Sequence, residues 1–504
     1  MTETITNEAI IARYKEEPAP FMAVLHAFME RDGFISSGAL EAIGKVVGKS
    51  SGALGVLLGY YKKFPMEATE PVADLQPLAP LVIPAPGPAD VEESVFESIR
   101  LPQNKTLDGY RRSGGYEAIE KYLAQGTGSD LVEVVRGSGL RGRGGGGYST
   151  GEKWRQCAKA AGDSKVIVCN GDEGDPKSFK DRVLLELDPH SVIEGMLLAA
   201  FATGASLGFV YLRGDYTDAQ NAMETALEEA RRASLLGDNI RGSDFGFSIY
   251  VRKGAGTYVC GEETVLLNTL EGNYPFPRTR PPYPVTRGFE SRPTVVNNVE
   301  TFAAVSKIAA RGPKWYKALG RGERVGTRLV SLTGDVAKPG CYEIPAGTTL
   351  NELLFDWAGG ARDGRSIEAV SMAGVSGGFL GADAFDVELD DASLAGKETL
   401  FGNGAIEAFD DSRDLIQIAA KQIRFFKKET CFKCEACVIG VEELAAAFDF
   451  EKENESFESW CLKIKSASDS MRRDGVCGFG GAAALCATSM VSHFKDLLKT
   501  RFDR

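Results

Sequence analysis

Three cysteines separated by two residues each, Cys431, Cys434 and Cys437, are the densest concentration of chemistry in this 504-residue chain. Thiolates at C-x-x-C-x-x-C spacing can wrap three corners of a cubane, and cysteine-only ligation of this kind is typical of a [4Fe–4S] cluster. The fourth thiolate must come from elsewhere. Cys477 is the leading candidate, because Asp474-Gly475-Val476-Cys477-Gly478-Phe479-Gly480-Gly481 surrounds it with glycines that let backbone amides approach sulfur. Cys461, in the helical setting Glu458-Ser459-Trp460-Cys461-Leu462, and Cys486 compete for the role. A four-cysteine zinc site is the plainer alternative, although zinc sites usually pair their cysteines two and two.

A second concentration is Gly139-Leu140-Arg141-Gly142-Arg143-Gly144-Gly145-Gly146-Gly147-Tyr148, where five of the six residues from Gly142 to Gly147 are glycine. Such a backbone can approach a flat ring or a phosphate without an intervening Cβ. The N-terminus of a following helix would favour an anion, and Lys153 adds a positive charge. The spacing is neither a Walker A motif nor a Rossmann fingerprint, and by itself it also fits a plain flexible loop. Three polar groups share its domain: Asn170-Gly171-Asp172-Glu173, then Gly261-Glu262-Glu263-Thr264 after Tyr258, then Asn297-Asn298-Val299-Glu300-Thr301. Each alone reads as a turn or a helix cap. Together, carboxylates and amides at strand ends suit ribityl hydroxyls, ring nitrogens and a ribose. Gly374-Val375-Ser376-Gly377-Gly378 fits the G-x-S-x-G of serine hydrolases, but it falls outside the large sheet and has only His493 downstream. Hydrolysis is disfavoured.

The elements that must position these residues differ in texture along the chain. Residues 1–64 read as a helical unit, with Phe21 to Met29 at helical spacing and Ser36-Ser37 as a cap. Residues 65–93 read as an extended linker, with seven prolines between Pro65 and Pro88. Strands and helices alternate over 94–325, including strands at Lys165–Asn170 and Gly208–Leu212 and a helix at Ser191–Thr203. That alternation predicts a mostly parallel α/β sheet with ligands at the strand carboxyl ends. Residues 326–409 predict a small α+β insert with strands at Arg328–Leu332 and Phe385–Leu389 and a helix at Thr349–Ala358; residues 410–504 are helix-rich and carry the cysteines.

Composition narrows the class. A net charge of −12 argues against nucleic-acid binding. No apolar run is long enough for direct membrane insertion, and the first residues lack a signal-peptide pattern, so a cytoplasmic location is expected. Ten cysteines, five of them between Cys431 and Cys477, then suggest metal ligation rather than disulfides. Three histidines are a poor supply for imidazole chemistry.

Taken together, these motifs resemble the flavoprotein family that includes the NADH-binding, FMN-carrying subunit of respiratory complex I. The diaphorase subunits of NAD-reducing hydrogenases and NAD-dependent formate dehydrogenases belong to it too. The segments that carry the resemblance are Gly139–Trp154, Asn170–Arg182, Gly256–Gly272, Pro281-Pro282-Tyr283-Pro284, Asn297–Thr301 and the four cysteines Cys431, Cys434, Cys437 and Cys477. It implies an α/β fold: a Rossmann-like FMN/NAD domain, a ubiquitin-like β-grasp (SLBB-like) insert and a C-terminal helical bundle holding [4Fe–4S], behind the small N-terminal unit. FMN would lie against Gly142, Arg143, Gly144, Gly145, Gly147 and Tyr148, held by Lys153, Asn170, Asp172, Glu263, Asn297 and Asn298. Glu173, Tyr258, Gly261, Glu262, Tyr283 and Thr301 complete the implied cofactor site, and Asp175 would meet the NAD ribose. Hydride would pass between NAD(H) and FMN with no side chain as catalyst, Glu263 merely lying near the flavin.

There are departures from the family pattern. Tyr148 and Tyr283 stand where phenylalanine is usual, Asp175 where a glutamate is, and Phe432, Ala436 and Val438 replace a Gly, a Pro and an Arg. Asp32-Gly33-Phe34-Ile35-Ser36 and Tyr60-Tyr61-Lys62-Lys63-Phe64 are similar to the helical start of the family's [2Fe–2S] partner, but the first cysteine is Cys157. The N-terminal unit therefore cannot hold a cysteine-ligated cluster and reads as a docking appendage. The shortened head favours the β subunit of a molybdenum-dependent formate dehydrogenase. Its implied partners are a thioredoxin-like [2Fe–2S] small subunit and a molybdenum/iron–sulfur catalytic subunit. The complex I subunit and the hydrogenase diaphorase are the alternatives, and a zinc-stabilised, non-redox scaffold is the rival from another class.

Overall fold

Four strands form a parallel sheet in the order β3-β2-β1-β4: β1 (Lys165–Gly171), β2 (Ala205–Leu212), β3 (Ser248–Lys253) and β4 (Thr294–Asn298). The structure is a computed structural model that describes residues 5–61, 63–67, 78, 81–84, 87–88, 91–162, 164–450 and 455–502. Val166, Ile167, Val168 and Cys169 of β1 are all sealed from solvent, as a parallel strand covered on both faces requires. Ile167 and Cys169 face one core with the helices Pro189–Thr203 and Val299–Arg311; Val166 and Val168 face another. The strand order reverses between β1 and β4, and a crevice opens at the carboxyl ends of strands there. Asn170 and Asn298 sit at those two ends.

The second face of this sheet is covered by the N-terminal unit. Its helices are Asn7–Tyr14, Pro20–Asp32, Ser37–Val47 and Ser51–Leu58, the third capped by Ser36. Phe21, Val24, Leu25 and Phe28 share a core with Val166, Phe209, Tyr211 and Leu266. Each such side chain contributes roughly 1.5–3 kcal/mol on burial. Arg252 of β3 is sealed beneath them, donating to the carbonyls of Pro18 and Ala19 and pairing with Glu17. The docking appendage expected from the sequence is thus corrected: the unit is an integral layer of the fold, because it buries an apolar sheet face that would otherwise meet water.

Most of the proline-rich linker expected over 65–93 lies outside the described residues. Within it, Val82 O accepts from Cys341 N at 2.8 Å, so the segment runs along a second sheet. That sheet is mixed, in the order β6-β5-β9-β7-β8: β5 (Thr327–Gly334), β6 (Gly340–Pro345), β7 (Ile367–Met372), β8 (Phe379–Gly381) and β9 (Ala405–Asp410). The helix expected at Thr349–Ala358 is present, wound as a π-helix over Glu352–Trp357. The strand expected at Phe385–Leu389 is not one. Phe385 and Leu389 are buried as the alternation suggested, but the segment's longer-range backbone hydrogen bonds go to the turn at 348–351, with one isolated bridge, Thr349 to Glu388. It straps the small core without joining the ladder.

Four long helices, Leu415–Glu429, Glu435–Phe448, Phe457–Asp474 and Phe479–His493, and the short helix Lys495–Lys499 end the described residues, packed around Leu444, Phe448, Trp460, Ile464 and Met490. No helix among the described residues is long and apolar enough to cross a membrane.

Candidate functional site

The crevice between β1 and β4 opens into a cleft of about 1300 Å³, walled by the glycine loop, the two strand ends, the insert and the start of the last long helix. Gly142 N donates to Tyr148 O at 2.8 Å and closes the loop. Gly145 and Gly147 hold φ of +114° and +58°, which side chains disfavour. Arg143 turns away from the cleft, its guanidinium donating to Tyr316 Oη and Thr327 O at 2.8 Å each, while its amide donates to Thr301 Oγ1 at 3.0 Å. Arg143 and Thr301 therefore shape the loop from behind. The other residues expected to bind a nucleotide cofactor all line the cleft.

Their electrostatics differ. Lys153, on the helix Thr150–Lys159, reaches Val296 O at 2.9 Å and Glu263 at 3.3 Å. Glu173 is spent internally, accepting from Ser178 Oγ, the amides of Asp181 and Arg182, and Tyr216 Oη. Asp172 is not: its Oδ2 is buried without a partner, and burial pushes its carboxyl up to about 7. An unpaired buried acceptor facing a cleft is a seat for a ligand donor, and a ribityl hydroxyl supplies one. Tyr148 and Tyr283, 48% and 55% exposed, leave aromatic faces free for a flat ring. The residues present fit FMN.

Asp175 lines the cleft but is 4% exposed, its Oδ1 accepting from Lys177 N at 2.9 Å and its Oδ2 from Val375 N at 3.0 Å. A Cβ on Gly374 would fall 1.9 Å from Oδ1. The G-x-S-x-G segment is therefore a docking loop for this carboxylate, and His493, bonded to Lys397 O, is not part of any triad with Ser376. Sequence reasoning missed the insert's contribution to the wall, notably Ser376, Glu398, Gly402 and Asn403. It also missed Arg280, which pairs with Glu262 and Glu263. No local pattern marks these residues, because long-range packing brings them there.

The four expected cysteines come together. Cys437 feels the charges of Cys477, Cys431 and Cys434, and Cys477 those of Cys431 and Cys434. Cys461 faces Lys495 and Glu458 instead, and Cys486 is sealed in the bundle beside Ala419 O and Gln422. Backbone amides of Lys433 and Phe479 point at the sulfurs of Cys431 and Cys477. Burial pushes Cys437 up to about 12 and Cys477 to about 11. A metal's positive charge would favour the thiolate forms that burial disfavours. No three described His, Cys, Asp or Glu side chains converge as ligands of one ion do. Tyr258 packs its ring 5.2 Å from Phe425 and 6.0 Å from Phe479, which fixes the cysteine loop against the cleft; Cys477 itself lines the wall.

Comparison with known proteins agrees with this geometry. Residues 135–307 match the Nuo51 FMN-binding domain, 417–501 the iron–sulfur binding region of NADH-ubiquinone oxidoreductase-F, and 329–378 the SLBB domain. An NADH-quinone oxidoreductase subunit of Rhizobium meliloti (strain 1021) is 38% identical over 404 residues, covering 80% of this chain and 96% of that protein. The chain belongs to this NADH-binding flavoprotein family. Its cofactors are FMN, a [4Fe–4S] cluster and NAD(H). The alpha subunit of the NAD-reducing hydrogenase HoxS of Cupriavidus necator is 40% identical, covering 74% of this chain and 61% of that one. A crystal structure of an NAD+-reducing [NiFe]-hydrogenase in the H2-reduced state superposes with a TM-score of 0.78 at 26% identity, over 95% of this chain and 92% of that chain. These relatives favour the complex I and hydrogenase alternatives over the formate dehydrogenase expected from the shortened head.

Proposed function

We propose that the chain is the diaphorase subunit of an electron-transfer module of the complex I or NAD-reducing hydrogenase type. The observation that carries this reading is that one cleft holds both the glycine loop and Cys477. FMN, when bound, supplies the conversion of a hydride from NADH into single electrons. The chain's own residues bind and orient. The loop amides and Lys153 would hold the flavin's polar groups, Asp172 would accept from its ribityl chain, and Asn297 and Asn298 would fix its edge. Tyr148 and Tyr283 offer stacking faces to the flavin and nicotinamide rings. Cys431, Cys434, Cys437 and Cys477 would ligate the cluster that receives the electrons.

The parallel pairing of the insert's first and last strands, β5 and β9, supports the β-grasp reading of residues 326–409. A [2Fe–2S] small subunit and a hydrogen- or quinone-linked partner are the expected neighbours, in the cytoplasm. The full chain loaded with FMN and cluster should oxidise NADH with an artificial one-electron acceptor and should not oxidise formate. Formate turnover by the chain alone, or a loaded chain inert toward NADH, would sink the proposal.

A further inference from the structure

Lys63 closes the N-terminal helical unit and lies against the segment Gly254-Ala255-Gly256, which follows β3. Its stem presses on Gly256, where an added Cβ would meet Lys63 Cδ at 2.1 Å. On the other side of the same segment, a Cβ on Gly254 would lie 3.2 Å from Asp172 Oδ1. The segment is pinned between them. His26, from the same unit as Lys63, has its Nε2 2.9 Å from Gly254 O, and burial holds its imidazole down at about 4, so the neutral ring donates. Ala255 N donates to Tyr211 Oη at 3.1 Å. Only residues without bulk can separate Lys63 from Asp172 in this way.

We propose that Lys63 is a positioning residue of the flavin cleft, through which the N-terminal unit holds Asp172 as a charged acceptor for the ribityl chain of FMN. The inference rests on the reading that FMN occupies this cleft. The groups facing Asp172 are Arg213 and Asp215 after β2, Tyr211 of β2, Cys260 and Lys63. Arg213 is already bound bidentately to Asp215 and to Glu173 O. Lys63, which also acts on Asp215, adds a second positive charge after that of Arg213 and opposes the burial that favours protonated Asp172. A charged acceptor bonds a hydroxyl more strongly than a neutral one. FMN affinity should then rise with pH as Asp172 ionises, and losing Lys63 should move that rise to higher pH.

The test is FMN binding to the full chain, read by flavin fluorescence between about pH 6 and pH 9. Lys63→Met should weaken binding by about fivefold near pH 7 and shift the midpoint upward by about one pH unit, while Lys63→Arg restores both. Lys63→Gln serves the same purpose should the methionine variant fold poorly. Asp172→Asn should weaken binding and remove the pH dependence, and Lys63→Met added to it should cost less than about twofold more. An undiminished Lys63→Met penalty in the Asp172→Asn background, or one independent of pH, would mean that Lys63 acts by packing alone and overturns the inference. Wild-type FMN affinity in Asp172→Asn would instead overturn the assignment of Asp172 to the flavin site, and the inference with it.

Discussion

Cys477→Ser is expected to lose the [4Fe–4S] cluster or convert it to a three-iron form, whereas Cys461→Ser leaves iron content unchanged. Both residues belong to the helical C-terminal region, but only Cys477 shares an electrostatic neighbourhood with Cys431, Cys434 and Cys437. A serine oxygen is a harder, more basic donor than a thiolate and binds iron weakly at neutral pH. Because Cys477 lines the cleft, losing it should also interrupt the step from flavin to partner. NADH oxidation by a small artificial acceptor that reaches the flavin should survive, and reduction of an acceptor that draws from the cluster should fall by orders of magnitude. Iron analysis and electron paramagnetic resonance of the two variants decide it. The reverse pattern would show that Cys461 is the ligand.

Asp175→Asn should destabilise the chain and lower catalytic efficiency with NADH and NADPH together. Both carboxylate oxygens accept from backbone amides, one of them Val375 N in the insert, and Gly374 packs against them. An asparagine keeps one acceptor and turns an NH₂ toward the other amide, leaving a buried donor unpaired at a cost of about 1–3 kcal/mol. The docked loop includes Ser376, which lines the cleft, so loosening it should weaken both nucleotides. Thermal unfolding and kcat/KM with each nucleotide provide the readout. The family resemblance implied another role, in which Asp175 meets the ribose and repels the 2′-phosphate of NADP. A selective gain with NADPH of about tenfold, equivalent to about 1.4 kcal/mol, with stability unchanged would restore that role.

Short-range patterns were enough for much of the site. The three closely spaced cysteines, the run of glycines, and the amides that end β1 and β4 are local features, and local spacing is what a one-dimensional reading measures. The cap at Ser36 and the buried run Lys165–Gly171 were legible for the same reason, since each is decided by residues within a few positions. Choosing Cys477 over Cys461 and Cys486 rested on its glycines; in the structure Phe479 N points at the Cys477 sulfur, while Gly478 itself keeps an ordinary helical backbone.

Other matters were decided by packing between distant segments. Phe385–Leu389 has the alternation of a strand, but a strand also needs a free ladder edge, which no local pattern encodes. Arg143 looked like a cofactor residue by its place among glycines, yet Tyr316, Thr327 and Glu300 hold it inward. Asp175 matched a ribose-binding position, but the insert that claims its oxygens lies 200 residues along the chain. The helical head seemed detachable because a proline-rich stretch follows it. Only the apolar face of the β3-β2-β1-β4 sheet, which must be buried by something, made that head part of the core and set Lys63 beside the cleft.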